Sequence, residues 1–315
     1  MIYTVTTSPS LDLLMQLQTP LCVGQNNRAI KEELRPGGKG INISIMLYNL
    51  GVTSTAFGFV AGFSGDELMR LTAATGVKTG FIRVRRGRTR INVRIKEQPA
   101  QTSINGLGPE VSADDIQYLV RKISGLTSDD YLVLAGMVPP SLPQDIYATF
   151  FESLKDGSQP KVIVDAPADQ LKYVLKYQPF LIKPNLKELG DYLNMQITDA
   201  RSALEACQRL QSEGARNILV SLGRHGAIFM DEHHNALRIA APGGELIDRT
   251  GAGDSMIAGF LSDYIEHHNL ESAAYMAVAT GSATATTDGI ATREMVQELR
   301  SQMTATTADW SESLS

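Results

Sequence analysis

A three-layer αβα sandwich on a mostly parallel β-sheet, with a small β-sheet lid, is the fold class that this sequence predicts. Three observations carry the prediction. From Ala113 onward short apolar strands alternate with amphipathic helices, and runs such as Tyr131-Leu132-Val133-Leu134-Ala135 have no polar face to turn to water. Strands of that kind are covered by helices on both sides, which is the pattern of a parallel sheet. Glycine-rich or polar stretches follow one strand after another, as expected where strand carboxyl ends line one edge and hold a ligand. Two more polar, alternating segments, 11–35 and 83–105, break the rhythm and read as the lid.

The elements follow in order. Residues 2–6 alternate β-branched and aromatic side chains and read as a buried strand ending at Ser8-Pro9-Ser10-Leu11-Asp12. Short strands at 13–18 and 28–34 are separated by Thr19-Pro20 and Gly24-Gln25-Asn26-Asn27. Residues 37–40 turn into a helix over 41–50 that Gly51 stops. A strand at 55–59 leads to a second glycine-rich turn and a helix over 66–75.

Residues 82–95 gather Arg83, Arg85, Arg86, Arg88, Arg90 and Arg94, most of which read as a solvated strand face. Arg90 and Arg94 share one face, so one of them can point into a site. Residues 102–105 pair with this segment. Helices then fall at 114–123, 145–154, 171–175 and 203–211, with strands at 131–135, 162–165, 180–182 and 218–220. The last third adds helices at 255–266, 272–284 and 294–303. With no linker or repeat, residues 1–303 read as one domain, and 304–315 as a polar, mobile tail.

The chain has 315 residues, 43% of them hydrophobic, enough for one large core. A net charge of −5 gives no basic field to recruit nucleic acid or a membrane surface. Two cysteines, Cys22 and Cys207, make no disulfide framework, and neither a signal peptide nor an apolar run of membrane-spanning length is evident. A cytoplasmic protein is expected.

The stretch with most chemistry is Asp248-Arg249-Thr250-Gly251-Ala252-Gly253-Asp254-Ser255. A glycine-rich turn opening a helix leaves N–H groups unpaired at the positive end of the dipole, where phosphate is the natural guest. Asp254 reads either as a helix cap or as a general base acting on a hydroxyl while Gly251, Ala252 and Gly253 hold the transferred phosphoryl group. Upstream, Pro36-Gly37-Gly38-Lys39-Gly40-Ile41-Asn42 is a tight turn or a loop that lets backbone approach a ligand, with Lys39 a point charge and Asn42 a two-way hydrogen bonder. Asn185 and Glu188 are three apart on a first helical turn, suited to capping that helix or to placing oxygens near Mg²⁺ through water. Ser221-Leu222-Gly223 to Gly226 is a hairpin or a tight turn suited to ribose or phosphate, and Asp12 is placed to grip sugar hydroxyls. Each motif sits at a strand end, in a chain built to bring those ends together.

Taken together, these motifs resemble the ribokinase-like, PfkB-type carbohydrate kinases. The resemblance covers residues 1–303 and rests on Gly37-Gly38-Lys39-Gly40-Ile41-Asn42, Thr250-Gly251-Ala252-Gly253-Asp254 and Lys183-Pro184-Asn185-x-x-Glu188. Ser8-Pro9-Ser10-Leu11-Asp12 and Gly87-Arg88-Thr89-Arg90-Ile91-Asn92-Val93 look most like the branch that acts on phosphorylated sugars. What the resemblance implies is ATP-dependent phosphorylation of fructose 1-phosphate, with tagatose 6-phosphate and fructose 6-phosphate as alternatives and an idle sugar-phosphate sensor as the rival class.

On this resemblance Asp254 is the base and Gly251–Gly253 the anion hole. Asp12, Gly37, Gly38, Lys39 and Asn42 hold the sugar, and Arg90 with Arg28 its existing phosphate. Lys183, Asn185, Ser221, Gly223 and Gly226 face ATP, Ser282 lines the adenine pocket, and Asn185 and Glu188 hold Mg²⁺. A potassium site near Asp248, Thr250 and Thr287 and a homodimer through the lid are implied as well. The chain departs from the family pattern at Met137, where a serine is usual, at Arg35-Pro36 and at Arg249.

Overall fold

The computed structural model describes residues 1–97, 100–155, 157–303, 310 and 313–314. In chain order the strands are β1 (Ile2–Thr6), β2 (Ser10–Leu17), β3 (Ala29–Gly37), β4 (Ser54–Val60), β5 (Lys78–Thr79), β6 (Ile82–Arg83), β7 (Arg90–Glu97), β8 (Ala100–Ile104), β9 (Tyr131–Ala135), β10 (Lys161–Asp165), β11 (Leu181–Ile182), β12 (Asn217–Ser221), β13 (Ala227–Met230) and β14 (Ala236–Ile239). The helices are α1 (Lys39–Asn49), α2 (Gly62–Ala74), α3 (Ala113–Ile123), α4 (Ile146–Glu152), α5 (Ala168–Val174), α6 (Leu186–Leu193), α7 (Ala200–Ser212), α8 (Ala252–His267), α9 (Leu270–Ala285) and α10 (Arg293–Gln302).

The body sheet runs β14-β13-β12-β11-β10-β9-β1-β4-β5, with β6 also on β4, and is parallel except at the β12-β13-β14 edge. The period of two along each strand divides its side chains between two cores. Leu132 and Leu134 of β9, Val162 and Val164 of β10, and Ile218 and Val220 of β12 join the core under α3 to α7. Tyr131, Val133, Ala135, Ile163 and Leu219 enter the opposite core under α1, α8, α9 and α10. Continuous apolar strands are therefore what this sheet requires, as the ribokinase-like expectation has it.

The lid is a second sheet in the order β3-β2-β7-β8, with β2 and β7 parallel and the outer pairs antiparallel. Its extent is narrower than the sequence suggested. Ile82 and Val84 are buried in the body core, and β6 pairs with β4, so the second lid segment begins at Arg90 rather than at residue 83. Thr89 anchors the change of direction: its hydroxyl accepts the Ala61 N–H at 3.0 Å and its carbonyl accepts the Ser64 hydroxyl at 2.7 Å.

At its described residues the tail is packed rather than free. Trp310 and Leu314 lie against the core beneath α6 and α7, and the Leu314 N–H donates to the Thr198 carbonyl at 2.8 Å. Among the described residues no helix is long and apolar enough to cross a membrane.

Candidate active site

In the body sheet the chain moves from β1 to β4 on one side and then to β9 on the other. The strand order thus reverses at β1, and a crevice opens outside the carboxyl ends there. Close backbone approach builds its floor. The Gly40 N–H donates to Thr6 Oγ1 at 2.9 Å, pressing the start of α1 onto the end of β1. A Cβ on Gly37 would stand 2.6 Å from Ser10 Oγ and 2.7 Å from the Asp12 carboxyl, so only glycine leaves room for Asp12 at this point.

Four charged side chains and one amide meet in the crevice. Asp165, at the end of β10, is fully buried; its Oδ1 lies 2.9 Å from Lys39 Nζ and 3.3 Å from Lys183 Nζ. Burial opposes charge on Asp165, yet Lys183 and Lys39 hold its carboxyl below the usual carboxylate range. Burial also opposes the charge on Lys39, but Asp165 and then Asp254 outweigh it and keep this lysine protonated.

Asp254 is 6% exposed, and its Oδ2 accepts the Asn42 Nδ2–H at 2.7 Å. Burial, and secondarily the Asp165 charge, push its carboxyl up to about 6, with Lys39, Asn42 and Lys183 pulling the other way. Asp254 does not cap its helix: α8 has no side-chain cap, and its first residue follows Gly251 at φ 78°. The Ala252 N–H donates to the Arg249 carbonyl at 3.3 Å, while those of Gly253 and Asp254 remain open to an anion. Lys183 lies beneath them, its Nζ 3.2 Å from where a Cβ on Gly253 would stand. This lysine is 5% exposed and is paired with the buried Asp165.

The lid borders the other side of the crevice. Asp12 Oδ1 accepts the Ser10 hydroxyl at 2.7 Å and Asn92 Nδ2–H at 2.9 Å, and its Oδ2 takes Arg94 Nη2 at 2.8 Å. Arg94 also donates to Thr250 Oγ1 at 2.6 Å, tying Asp12 to the turn that opens α8. Arg90 donates through Nε to the Ser8 carbonyl at 3.1 Å, which leaves its two terminal nitrogens without a protein partner among the described residues. Burial, followed by the Arg94 charge, disfavours its proton, while Asp12 supports it.

Both arginines therefore face the site. The expectation that most of the arginines in this stretch are solvated holds for Arg83, Arg85, Arg86 and Arg88. Arg28 is not brought to the site of its own chain. It is exposed beside Ala29, the end of the β2–β3 hairpin where Leu17 pairs, whereas Asp12 lies near the opposite end, where Ser10 pairs with Gly37. Arg35 turns away to Glu33 and Asp288.

Asn185 and Glu188 form the capping box of α6: Glu188 N–H donates to Asn185 Oδ1 and Asn185 N–H to Glu188 Oε2, both at 2.9 Å. The Asn185 amide oxygen is thereby engaged, which weakens it as a metal ligand. Glu188 is half-buried and near enough to support the Lys39 charge, so it faces the crevice. Asn185 bridges to Ser221, bringing these two motifs together.

The stretch after Ser221 is the turn of the β12–β13 hairpin, and a Cβ on Gly226 would stand 1.9 Å from the Ile239 carbonyl oxygen. Gly226 is therefore explained by strand packing. Gly223 has φ 59° and open space beside it. Ser282 is half-buried on α9, next to Gly281, whose absent Cβ would meet the first turn of α8 at 3.1 Å. Met137 is exposed beyond β9, its carbonyl accepting the Thr7 hydroxyl at 3.1 Å. A cavity of about 790 Å³ lies apart, among Lys172, Asp191, Tyr192 and Arg209, and includes Asn185 and Glu188 of these motifs.

A buried carboxyl beneath an uncapped helix start, beside two lysines, is an arrangement suited to phosphoryl transfer. Residues 6–295 match the pfkB family carbohydrate kinases, and the chain belongs to that family. It is 37% identical over 307 residues to 1-phosphofructokinase of Bacillus subtilis, covering 97% of this chain and 99% of the relative. It is 31% identical to D-tagatose-1-phosphate kinase of Bacillus licheniformis, covering 97% and 99%. Among solved structures, phosphofructokinase-2 from Escherichia coli in complex with potassium superposes with a TM-score of 0.88 at 26% identity, covering 96% of this chain and 98% of that one.

Proposed function

We propose that this chain transfers the γ-phosphoryl group of ATP to the 6-hydroxyl of fructose 1-phosphate. The observation that carries the reading is Asp254, buried beneath the open start of α8 and poised near pH 6. The substrate hydroxyl oxygen attacks the γ-phosphorus, its proton passes to the Asp254 carboxylate, and the bond to the β–γ bridging oxygen breaks so that ADP leaves with the electron pair. The N–H groups at Gly253 and Asp254 take the growing charge on the transferred oxygens, with Lys39 and Lys183 close by. Asp12 and Asn42 orient the sugar, and the uncommitted fork of Arg90 takes the phosphate already present.

Mg²⁺ would fit as a largely hydrated ion that supplies positive charge beside the phosphates. Among the described residues no cluster of three acidic, histidine or cysteine ligands exists, and such an ion needs only one or two carboxylates. Glu188 and the unpartnered, buried Asp165 Oδ2 are the oxygens that would face it, and its chemistry there is charge neutralisation. Potassium near Asp248, Thr250 and Thr287 does not fit, because Asp248 is already held by Lys96 Nζ at 3.0 Å and by the Thr250 N–H at 2.9 Å.

The second reading is a tagatose phosphate as substrate, favoured by the tagatose-1-phosphate kinase relative. A coupled assay for ADP across the 1- and 6-phosphates of fructose and tagatose tests both. Fructose 1-phosphate is expected to give the highest kcat/KM; turnover of none of the four would leave a binder without catalysis.

The lid supports pairing of two chains. In register across its four strands, Leu34, Leu13, Val93 and Ile104 form one apolar row, with Leu34 and Ile104 exposed. An exposed sheet of that kind is a hazard unless covered. Light scattering is expected to give twice 34.2 kDa at micromolar concentration, and a 34.2 kDa species would refute lid pairing.

A further inference from the structure

The loop that runs into the anion-binding turn is held by charge from the lid. Asp248, 9% exposed at its side chain, directs Oδ1 to the Thr250 N–H at 2.9 Å and Oδ2 to Lys96 Nζ on β7 at 3.0 Å. Lys96 Nζ also lies 3.7 Å from Asp288, whose Oδ1 is 3.1 Å from Arg35 Nη1 on β3. Two carboxylates of the body thus face two cations of the lid. The neighbouring Ala285 carbonyl is engaged as well, accepting the N–H groups of Ile247 and Asp248 at 2.9 and 3.2 Å. A free monovalent ion brought here would find its oxygen ligands occupied and would sit against an ammonium group of its own charge.

We propose that the Lys96 ammonium serves as a built-in monovalent cation, so that this kinase needs no potassium. An ammonium group carries the charge of K⁺ at nearly the same size, and both are satisfied by oxygen ligands. Lys96 supplies that charge from the lid, so neutralising Asp248 and fixing the lid over Thr250–Gly253 become one event. Lys96 is a positioning residue: it touches Asp248, and Asp248 holds the Thr250 N–H at the entrance to the turn. The catalytic half of this inference rests on the kinase reading above; the binding half does not.

The test compares the wild-type protein with Lys96→Met in KCl, NH₄Cl and tetramethylammonium chloride at equal ionic strength. Both kcat and the melting temperature of the protein without substrates are measured. The wild type is expected to give the same kcat and the same melting temperature in all three salts. Lys96→Met is expected to lose about tenfold or more in kcat in tetramethylammonium, as for truncation of a buried charge pair, and to recover with K⁺ or NH₄⁺. Its melting temperature is expected to be higher in KCl than in tetramethylammonium.

A wild type that requires K⁺ overturns the proposal, as does a variant that no small cation restores in activity or in melting. If no sugar phosphate is turned over at all, the kinase reading fails, and the melting comparison still decides whether Lys96 stands in a cation site.

Discussion

Asp254→Asn is expected to lower kcat by roughly 10²–10⁴-fold, the usual cost of losing a positioned base, while ATP binding stays near the wild-type level. The variant keeps the shape of the side chain and an acceptor for Asn42 Nδ2, so a loss of turnover reports the missing proton acceptor. The pH profile sharpens the test. With its carboxyl near 6, Asp254 must be deprotonated to act, so wild-type kcat is expected to rise through about pH 6. Asp254→Asn is expected to lack that limb.

The same shift has an opposite consequence for stability. A carboxyl whose folded pKa exceeds its unfolded value favours the fold below the unfolded value and loses that contribution as pH rises through about 6. At neutral pH the buried carboxylate therefore costs on the order of 3 kcal/mol, which the asparagine does not incur. Asp254→Asn is expected to melt above the wild type at pH 7, by a margin that shrinks toward pH 5. Near-wild-type kcat in a folded variant would remove Asp254 from the chemistry.

Arg90→Ala is expected to raise KM for the sugar phosphate by the equivalent of about 2–4 kcal/mol and to leave KM for ATP nearly unchanged. Two arginines face the crevice, and their commitments separate them. Arg94 spends both terminal nitrogens on Asp12 and Thr250, whereas Arg90 spends only Nε on Ser8. A free planar fork suits phosphate, which a guanidinium grips at two points. Arg94→Ala is expected instead to lower kcat, since it releases Thr250 at the anion-binding turn. Arg86→Ala is the control: its side chain is exposed and stands 3.9 Å from Glu110, a contact of little energetic weight. Equal small effects at Arg90 and Arg86 would place the phosphate elsewhere, with Lys39 the next candidate.

The sheet was legible because a strand buried on both faces must be apolar throughout, as Tyr131–Ala135 is. The glycine turns were legible because Gly37, Gly40 and Gly251 are demanded by close approach or by positive φ. Asp165 was not. In Val162-Ile163-Val164-Asp165 it reads as a polar residue ending a strand, and its role comes from Lys39 and Lys183, which are 126 and 18 positions away in the chain but meet at one oxygen. The choice between Arg90 and Arg94 was also hidden, because their shared face says nothing about which nitrogens remain unpaired.

The lid boundary was misread because arginine-rich 82–95 alternates throughout, while burial of Ile82 and Val84 assigns its first part to the body. Strands β13 and β14 carry no turn or periodicity signal strong enough to read from sequence, and Gly226 is required by the tight β12–β13 turn, where a Cβ would meet the end of β14. Asn185 and Glu188 show the ambiguity that spacing alone leaves: three apart, they close a capping box and still present Glu188 to the crevice.

Transfer of a phosphoryl group to one hydroxyl of a sugar phosphate is tested most directly by observing the product. With ATP, Mg²⁺ and fructose 1-phosphate, ³¹P NMR is expected to show one new phosphate ester on the 6-hydroxyl for each ADP formed, with no free phosphate. ADP appearing together with inorganic phosphate, or no ADP with any of the four sugar phosphates, would contradict the account.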